Sequence, residues 1–229
     1  MSDYAVKINA LLAKAASTTS EAERDAFTEK AESLMVKWGI DDAMLDAASR
    51  RDKARKRVPI EERRYSTEGR SAALMGELAA LVAPGIAPVR ALISRGRPVW
   101  WCIGYADDLA RVEMYIPNVI EQARAAWRAH LRDNPYHPND RGRARTSFYL
   151  HFGEVVRQRF VALFRKAQED DTSSGVLVVL TNRANDVDAK LAEMYPNLRE
   201  ARGRKLDSWA GLCGAQAGRE ASLAVGALQ

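Results

Sequence analysis

Apolar residues recur at three- and four-residue intervals along the first part of the chain, which is the spacing of one helix face. This pattern predicts a first helix over residues 4–16 and a second that begins at a capping box formed by Ser20 and Glu23. Gly39 stands where a residue with left-handed backbone would end the second helix. We therefore expect an amphipathic helical hairpin over residues 4–45.

The periodicity disappears after the hairpin, in a segment where charge density rises and Pro59 forbids a continuous helix. We interpret this segment as a basic linker or arm. It divides the chain into a helical hairpin domain over 1–48, the arm over 49–69 and a mixed α/β domain over 70–229.

The rest of the chain alternates between helical and strand-like patterns. Two aromatic or β-branched runs, 89–94 and 99–104, flank a turn and predict a β-hairpin, and an apolar run at 176–181 predicts a third strand. Pro117 is expected to bend or break a long helix. The remaining segments are predicted helices over 70–82, 107–131, 147–168, 186–194 and 206–225, and a loop over 133–145. The predicted fold class is α+β: an N-terminal helical hairpin followed by a small mixed α/β domain with about three strands and several long helices.

Composition excludes several classes of protein. A chain of 229 residues with 47% apolar residues can bury a core and is not wholly disordered. It lacks a signal-like start and any run near the roughly 18 apolar residues of a membrane span, so a cytoplasmic protein without a membrane partner is expected. Cys102 and Cys213 lie far apart without a CxxC partner, which favours small core residues over zinc ligands or a disulfide.

The formal net charge of +5 is concentrated in one segment. Residues 50–64 hold eight of the 35 basic residues and three of the 30 acidic ones, which leaves 27 of each sign elsewhere. The eight are Arg50, Arg51, Lys53, Arg55, Lys56, Arg57, Arg63 and Arg64. Such charge density attracts phosphate by releasing counterions, although charge runs often serve only to keep a linker solvated.

Two further basic runs lie in segments with loop-like patterns. They comprise Arg141, Arg143 and Arg145, and then Arg199, Arg202, Arg204 and Lys205. The adjacent Trp100 and Trp101 must point to opposite faces of a strand, so one of them could stack on a base unless helices cover both. If the three basic runs share a face, they form a patch for DNA or RNA.

No constellation of residues indicates catalysis. The histidines His130, His137 and His151 lie apart, and each has a structural interpretation as a helix-end or packing residue. The Gly-rich run at 211–218 lacks the Lys-Ser/Thr ending of a phosphate-binding loop. The acids at 186–190, Asp186 and Asp188-Ala189-Lys190, resemble a metal-nuclease motif but fall on a predicted helix. We therefore predict no catalytic residue, metal site or cofactor.

Residues 6–45 resemble domain-of-unknown-function family 2786. The resemblance rests on Lys7-Ile8, Leu11-Leu12, Lys14-Ala15, Glu21-Ala22, Ala26, Lys30-Ala31, Leu34-Met35 and Gly39-Ile40. Later segments resemble the usual C-terminal companion of that family, through Ile103-Gly104, Ser147-Phe148-Tyr149 and Tyr195-Pro196-x-Leu198. One departure is His151, which stands where the pattern has a Gly before Phe152. The resemblance implies a protein of actinobacteria or their phages and implies no activity.

Three hypotheses about function follow. The first is a non-catalytic, nucleic-acid-associated accessory protein whose arm contacts phosphate. The second is a protein-interaction factor that binds a host or phage protein through Leu34, Met35 and Trp38 of the hairpin stripe. The third is a hydrolase or nuclease, which requires the acids and His151 to converge in one pocket. Self-association stays open beside all three.

Overall fold

The computed structural model describes residues 3–51, 58–170, 176–199 and 205–223. The helices are α1 (Asp3–Ser17), α2 (Glu21–Arg51), α3 (Ala72–Ile86), α4 (Ala106–Asp133), α5 (Pro138–Asp170), α6 (Val176–Met194) and α7 (Ser208–Glu220). The strands are β1 (Ile60–Ser66), β2 (Arg90–Ile93) and β3 (Val99–Tyr105). The predicted α+β class with an N-terminal helical hairpin is confirmed.

The three strands form an antiparallel sheet in the order β1-β3-β2. The central strand β3 separates two apolar clusters, because successive side chains point to opposite faces. Trp100 and Cys102 join the main core, whereas Ile103 and Tyr105 join a smaller cluster with Val187 of α6. The sheet is therefore packed between helices on both faces.

The hairpin of α1 and α2 packs on the rest of the protein. Ile8 and Met35 are 0% and 4% exposed, and they belong to the same cluster of buried side chains as Leu78 of α3 and Leu109 of α4. Burial of side chains of this size stabilises the folded state by about 1.5–3 kcal/mol each. The apolar face of the hairpin that the sequence predicts is thus the surface that packs on the rest of the protein.

Helix α7 lies against α5 through glycines. A Cβ at Gly214 would stand 2.1 Å from the carbonyl oxygen of Phe148, and one at Gly218 would stand 2.7 Å from that of Phe152. Only a residue without a side chain allows this approach of two backbones. The Gly-rich run at 211–218 is therefore a helix contact.

The structure corrects the prediction of a linker over 49–69 at residues 60–66, while 52–57 lie outside the described residues. Strand β1 occupies Ile60–Ser66 and pairs with β3 from Ile60 opposite Tyr105 to Ser66 opposite Val99. Its charged composition concealed the strand, because β1 is an edge strand and edges commonly carry charged side chains.

A second correction concerns the third predicted strand at 176–181, which is instead the start of α6. A short apolar run cannot be assigned to strand or buried helix by periodicity alone. The predicted loop over 133–145 is also wrong from Pro138 onward, where α5 begins. Proline is favoured at the first position of a helix, since its missing N–H has no partner there in any case.

Two predicted helix breaks are absent. Helix α4 continues through Pro117, and α2 continues through Gly39 to Arg51. A Cβ at Gly39 would lie 3.2 Å from the guanidinium carbon of Arg111, so this glycine provides room for that side chain and does not end the helix. Among the described helices, none is both long and apolar enough to cross a membrane.

Candidate functional site

A strongly charged concavity lies between the turn that precedes α3 and the helices α4 and α5. Its volume is about 500 Å³, and we call it the arginine pocket. It is lined by Gly69, Arg70, Ser71, Glu121, Arg124, Trp127, Arg128, Leu131, Arg141, Arg145 and Tyr149. Five arginines and one glutamate give it a formal charge of +4.

Helix α4 contributes one wall. Residues at spacings of three and four share a helix face, which brings Glu121, Arg124, Arg128 and Leu131 into line. Arg124 is held in place, since it donates to Glu121 at 2.5 Å and to the carbonyl oxygen of Glu68 at 2.5 Å. Arg128 is exposed, and its guanidinium forms no ion pair with any carboxylate of the described chain. It is therefore available to an anion.

Helix α5 contributes Arg141, Arg145 and Tyr149, which follow one another at four-residue spacing. The Nε of Arg145 is buried and has no hydrogen-bond partner among the described residues. Tyr149 is only 3% exposed and lines the same part of the pocket. A buried polar group normally has a partner, so the Nε of Arg145 is open to an incoming acceptor.

The Tyr149 hydroxyl remains a donor across the physiological range. Burial raises the pKa of Tyr149 to about 12, although the positive charges of Arg145 and Arg124 act in the opposite direction. The phenol therefore keeps its proton and can donate to an oxygen anion.

The third wall is the turn that leads into α3. Gly69 and Ser71 have positive φ values of 78° and 68°, and such a conformation is uncommon for a residue with a side chain. Ser71 precedes the helix without capping it through its hydroxyl. The positive end of the α3 dipole therefore adds to the charge of the pocket.

These features together suit a phosphate. Guanidinium groups match phosphate with paired, charge-assisted hydrogen bonds, and the buried tyrosine adds a neutral donor. The volume lies within the roughly 300–1,000 Å³ of small-molecule sites.

Of the basic residues predicted to bind nucleic acid, some line the arginine pocket and others lie elsewhere. Arg141 and Arg145 line the arginine pocket, but Arg143 of the same helix pairs with Asp140 at 2.7 Å instead. Arg63 contacts the carboxylates of Glu61 and Glu113, at 2.8 and 3.1 Å, so its charge is neutralised. Arg64, Arg199 and Lys205 are exposed and lie outside the pocket. The side chains of Arg50, Arg51, Lys53, Arg55, Lys56, Arg57, Arg202 and Arg204 lie outside the described residues.

Sequence reasoning missed Arg70, Arg124, Arg128 and Tyr149. The available signal was the helical spacing of charged residues on α4 and α5. It was hidden because the segment at 133–145 was interpreted as a loop, where residues four apart share no face.

The three hairpin residues expected at a protein interface lie in or against the core. Met35 and Trp38 are 4% and 8% exposed, and Leu34 is half-buried against the same cluster. Trp38 also stacks on Tyr4, with ring centroids 6.5 Å apart. A partner could reach these side chains only if the hairpin left the body.

The acids considered for nuclease chemistry do not converge. Asp186 accepts from the hydroxyl of Tyr105 at 2.6 Å, and Asp188 forms an ion pair with Arg90. Lys190 pairs instead with Glu193 on its own helix. No group of three or more His, Cys, Asp or Glu side chains in the described chain could hold a metal ion.

Each of the three histidines forms a hydrogen bond within the fold. His130 shares a hydrogen bond of 2.9 Å with the hydroxyl of Tyr136, and the amide N–H of Asn139 donates to His137. His151 bonds the carbonyl oxygen of Ser147 at 2.8 Å and lies beneath α7. None of these rings faces the acids discussed above.

The comparisons with known proteins concern the hairpin. Residues 5–42 match the family described as protein of unknown function (DUF2786). This confirms the resemblance seen in the sequence for α1 and most of α2. No curated protein and no solved structure matches the chain. The match carries no activity to the arginine pocket, which is built from later residues.

Proposed function

We propose that this protein is a non-catalytic, nucleic-acid-associated accessory protein whose arginine pocket binds backbone phosphate. The phage or actinobacterial origin implied by the family resemblance belongs to the same proposal. Compared with the expectation from sequence, the principal phosphate contact moves from the arm to the pocket.

One observation carries the proposal: five arginines from three separate elements converge on a single concavity with one opposing carboxylate. Like charges repel, so their convergence costs free energy unless an anion offsets it. The unpartnered Nε of Arg145 and the protonated phenol of Tyr149 at the same place support an oxygen anion as the ligand.

The test is the salt dependence of oligonucleotide binding by the double variant R128Q/R141Q. Both arginines are exposed, so the fold should be preserved. Each lost phosphate contact should reduce the slope of log K against log salt by about 0.7 for single strands, or about 1.4 for the pair. Fluorescence anisotropy with a labelled oligonucleotide at several salt concentrations measures this slope.

The matched control is R132Q/R143Q, which removes the same charge from the same two helices outside the pocket. It should leave the slope close to that of the wild type. Equal slopes for the two double variants would overturn the proposal, because only total charge would then matter.

The basic residues at 50–57 form a separate part of the proposal. Their neutralisation should weaken binding further if the arm adds contacts to those of the pocket. The alternative, a protein-interaction factor acting through the hairpin, is less favoured because Met35 and Trp38 are buried. A hydrolase or nuclease is less favoured because its candidate residues are held apart.

A further inference from the structure

A second cavity adjoins the arginine pocket along α4. It has a volume of about 310 Å³ and shares Glu121 and Arg124 with the pocket, so the two lie side by side. We call it the α4 cleft. Its lining comprises Tyr65, Ser66, Thr67, Glu68, Trp100, Val112, Glu113, Ile116, Pro117, Ile120, Glu121 and Arg124.

The cleft differs from the pocket in chemistry. Val112 and Ile116 of α4 and Tyr65 of β1 contribute apolar surface to its lining. Tyr65 is stacked on Trp100, with ring centroids 4.6 Å apart, which fixes the plane of its ring. An apolar slot with an oriented aromatic ring suits a flat, weakly polar group.

Polar side chains and Pro117 complete the lining of the cleft. Glu68, Glu113 and Glu121 stand beside the apolar residues. The carboxylate of Glu113 accepts from Arg63 at 3.1 Å and from the hydroxyl of Tyr65 at 2.9 Å, so its charge already has partners. Pro117 is an exposed residue of α4, and a substitution there changes the space in the cleft.

We infer that the arginine pocket and the α4 cleft together bind a single-stranded nucleic acid, with backbone phosphate in the pocket and an unpaired base in the cleft. The argument rests on charge complementarity beside an apolar slot, the pairing that single-strand-binding proteins use for phosphate and base. A base inside a duplex is stacked and paired and cannot enter such a slot. This inference depends on the proposed function and adds the class of nucleic acid to it.

The test compares Pro117→Phe with Pro117→Ala. Both substitutions restore the helical N–H, so neither should destabilise α4. Because Pro117 lines the cleft, we expect phenylalanine to fill it and alanine to leave it open. Anisotropy is measured with oligodeoxythymidylate, with an abasic strand of the same length and with a duplex.

We expect the wild type and Pro117→Ala to prefer oligodeoxythymidylate to the abasic strand by about tenfold, which is within the range of one base–aromatic stack. Pro117→Phe should lose that preference while binding the abasic strand as the wild type does. Equal binding of both strands by the wild type, or an unchanged preference in Pro117→Phe, would overturn the inference.

The two proposals fail in different ways. R128Q/R141Q should weaken binding of the abasic and the thymidylate strand alike, because it removes phosphate contacts. If R128Q/R141Q weakens binding while Pro117→Phe keeps the preference for oligodeoxythymidylate, the phosphate site stands and the base site is excluded. Binding of none of the three nucleic acids by the wild type overturns both.

Discussion

Single side chains near the arginine pocket are held by an aromatic cluster. Trp127 contacts Phe148, Tyr149 and Tyr136, with ring centroids 5.3 to 6.1 Å apart. His130 joins this cluster through Tyr136. Such ring pairs add about 0.5–1.5 kcal/mol each beyond the area that they bury. The cluster therefore fixes Tyr149 from behind and leaves its hydroxyl at the pocket.

His130 gives a pH-dependent prediction at this scale. Burial lowers the pKa of His130 below its ordinary value, against the opposing charges of Asp133 and Asp207. The unfolded chain, with a histidine pKa of about 6.5, then binds more protons than the folded chain as the pH falls. Stability from this residue is fully present above about pH 6.5 and is lost as the pH falls below it.

Urea unfolding of the wild type and His130→Gln measures the effect. The difference in free energy of unfolding, wild type minus variant, should be larger at about pH 7.5 than at about pH 5. The comparison with the variant cancels the carboxyl groups that titrate in the same range. A difference that is constant with pH would contradict the lowered pKa of His130.

Among the elements, the contact of α5 with α7 depends most on residue size. Gly211, Gly214 and Gly218 follow one face of α7, and a Cβ at Gly211 would lie 2.9 Å from the ring of His151. This arrangement keeps α5 in place beneath the pocket, to which the same helix contributes Arg141, Arg145 and Tyr149.

Gly214→Ala should destabilise the protein by about 3 kcal/mol, at the upper end of overpacking effects, because the new Cβ meets backbone and cannot be accommodated by a rotamer change. Gly142→Ala is the matched control. Nothing lies within 4 Å of its Cβ, and alanine is the better helix former by about 0.8–1 kcal/mol. Thermal unfolding should therefore show a lower Tm for the first and an unchanged or higher one for the second. Similar Tm values would show that α7 can separate from α5 at little cost.

Across the whole molecule, a buried ionic network joins the hairpin to the later helices. Arg111 of α4 pairs with Asp108 on its own helix and with Asp42 of α2, the latter at 3.5 Å. Arg183 of α6 pairs with Asp107 at 2.6 Å and lies over the ring of Tyr105. Burial raises the pKa of Asp108 to about 6, and the two arginines act against that rise.

Arg111→Ala should cost about 3–5 kcal/mol, because it leaves the buried carboxylate of Asp108 without its nearest partner. Arg143→Ala removes an ion pair at the same i,i+3 spacing whose side chains are each 50% exposed, and should cost at most about 0.5 kcal/mol. Urea unfolding measures both. If the losses were alike, the network would contribute no more than a surface pair and would not explain how the hairpin is held.

Local pattern by itself determined the helical hairpin and the β-hairpin of β2 and β3. The bounds of the two strands are close to those observed, whereas α2 runs past its predicted end at Gly39. Both follow from side chains near in sequence, whose spacing shows which face is buried. It also determined the excess of basic charge at 50–64 and the family resemblance over the hairpin.

Only the tertiary structure decided the identity of the third strand and the position of the candidate site. Ile60–Ser66 is a strand because β3, some 40 residues later, supplies its hydrogen bonds and Trp100 covers Tyr65. The arginine pocket requires residues from the turn before α3, from α4 and from α5 that are up to 80 residues apart. Periodicity reports which side of one element is buried, whereas convergence of like charges depends on how three elements pack, and no local spacing contains that information.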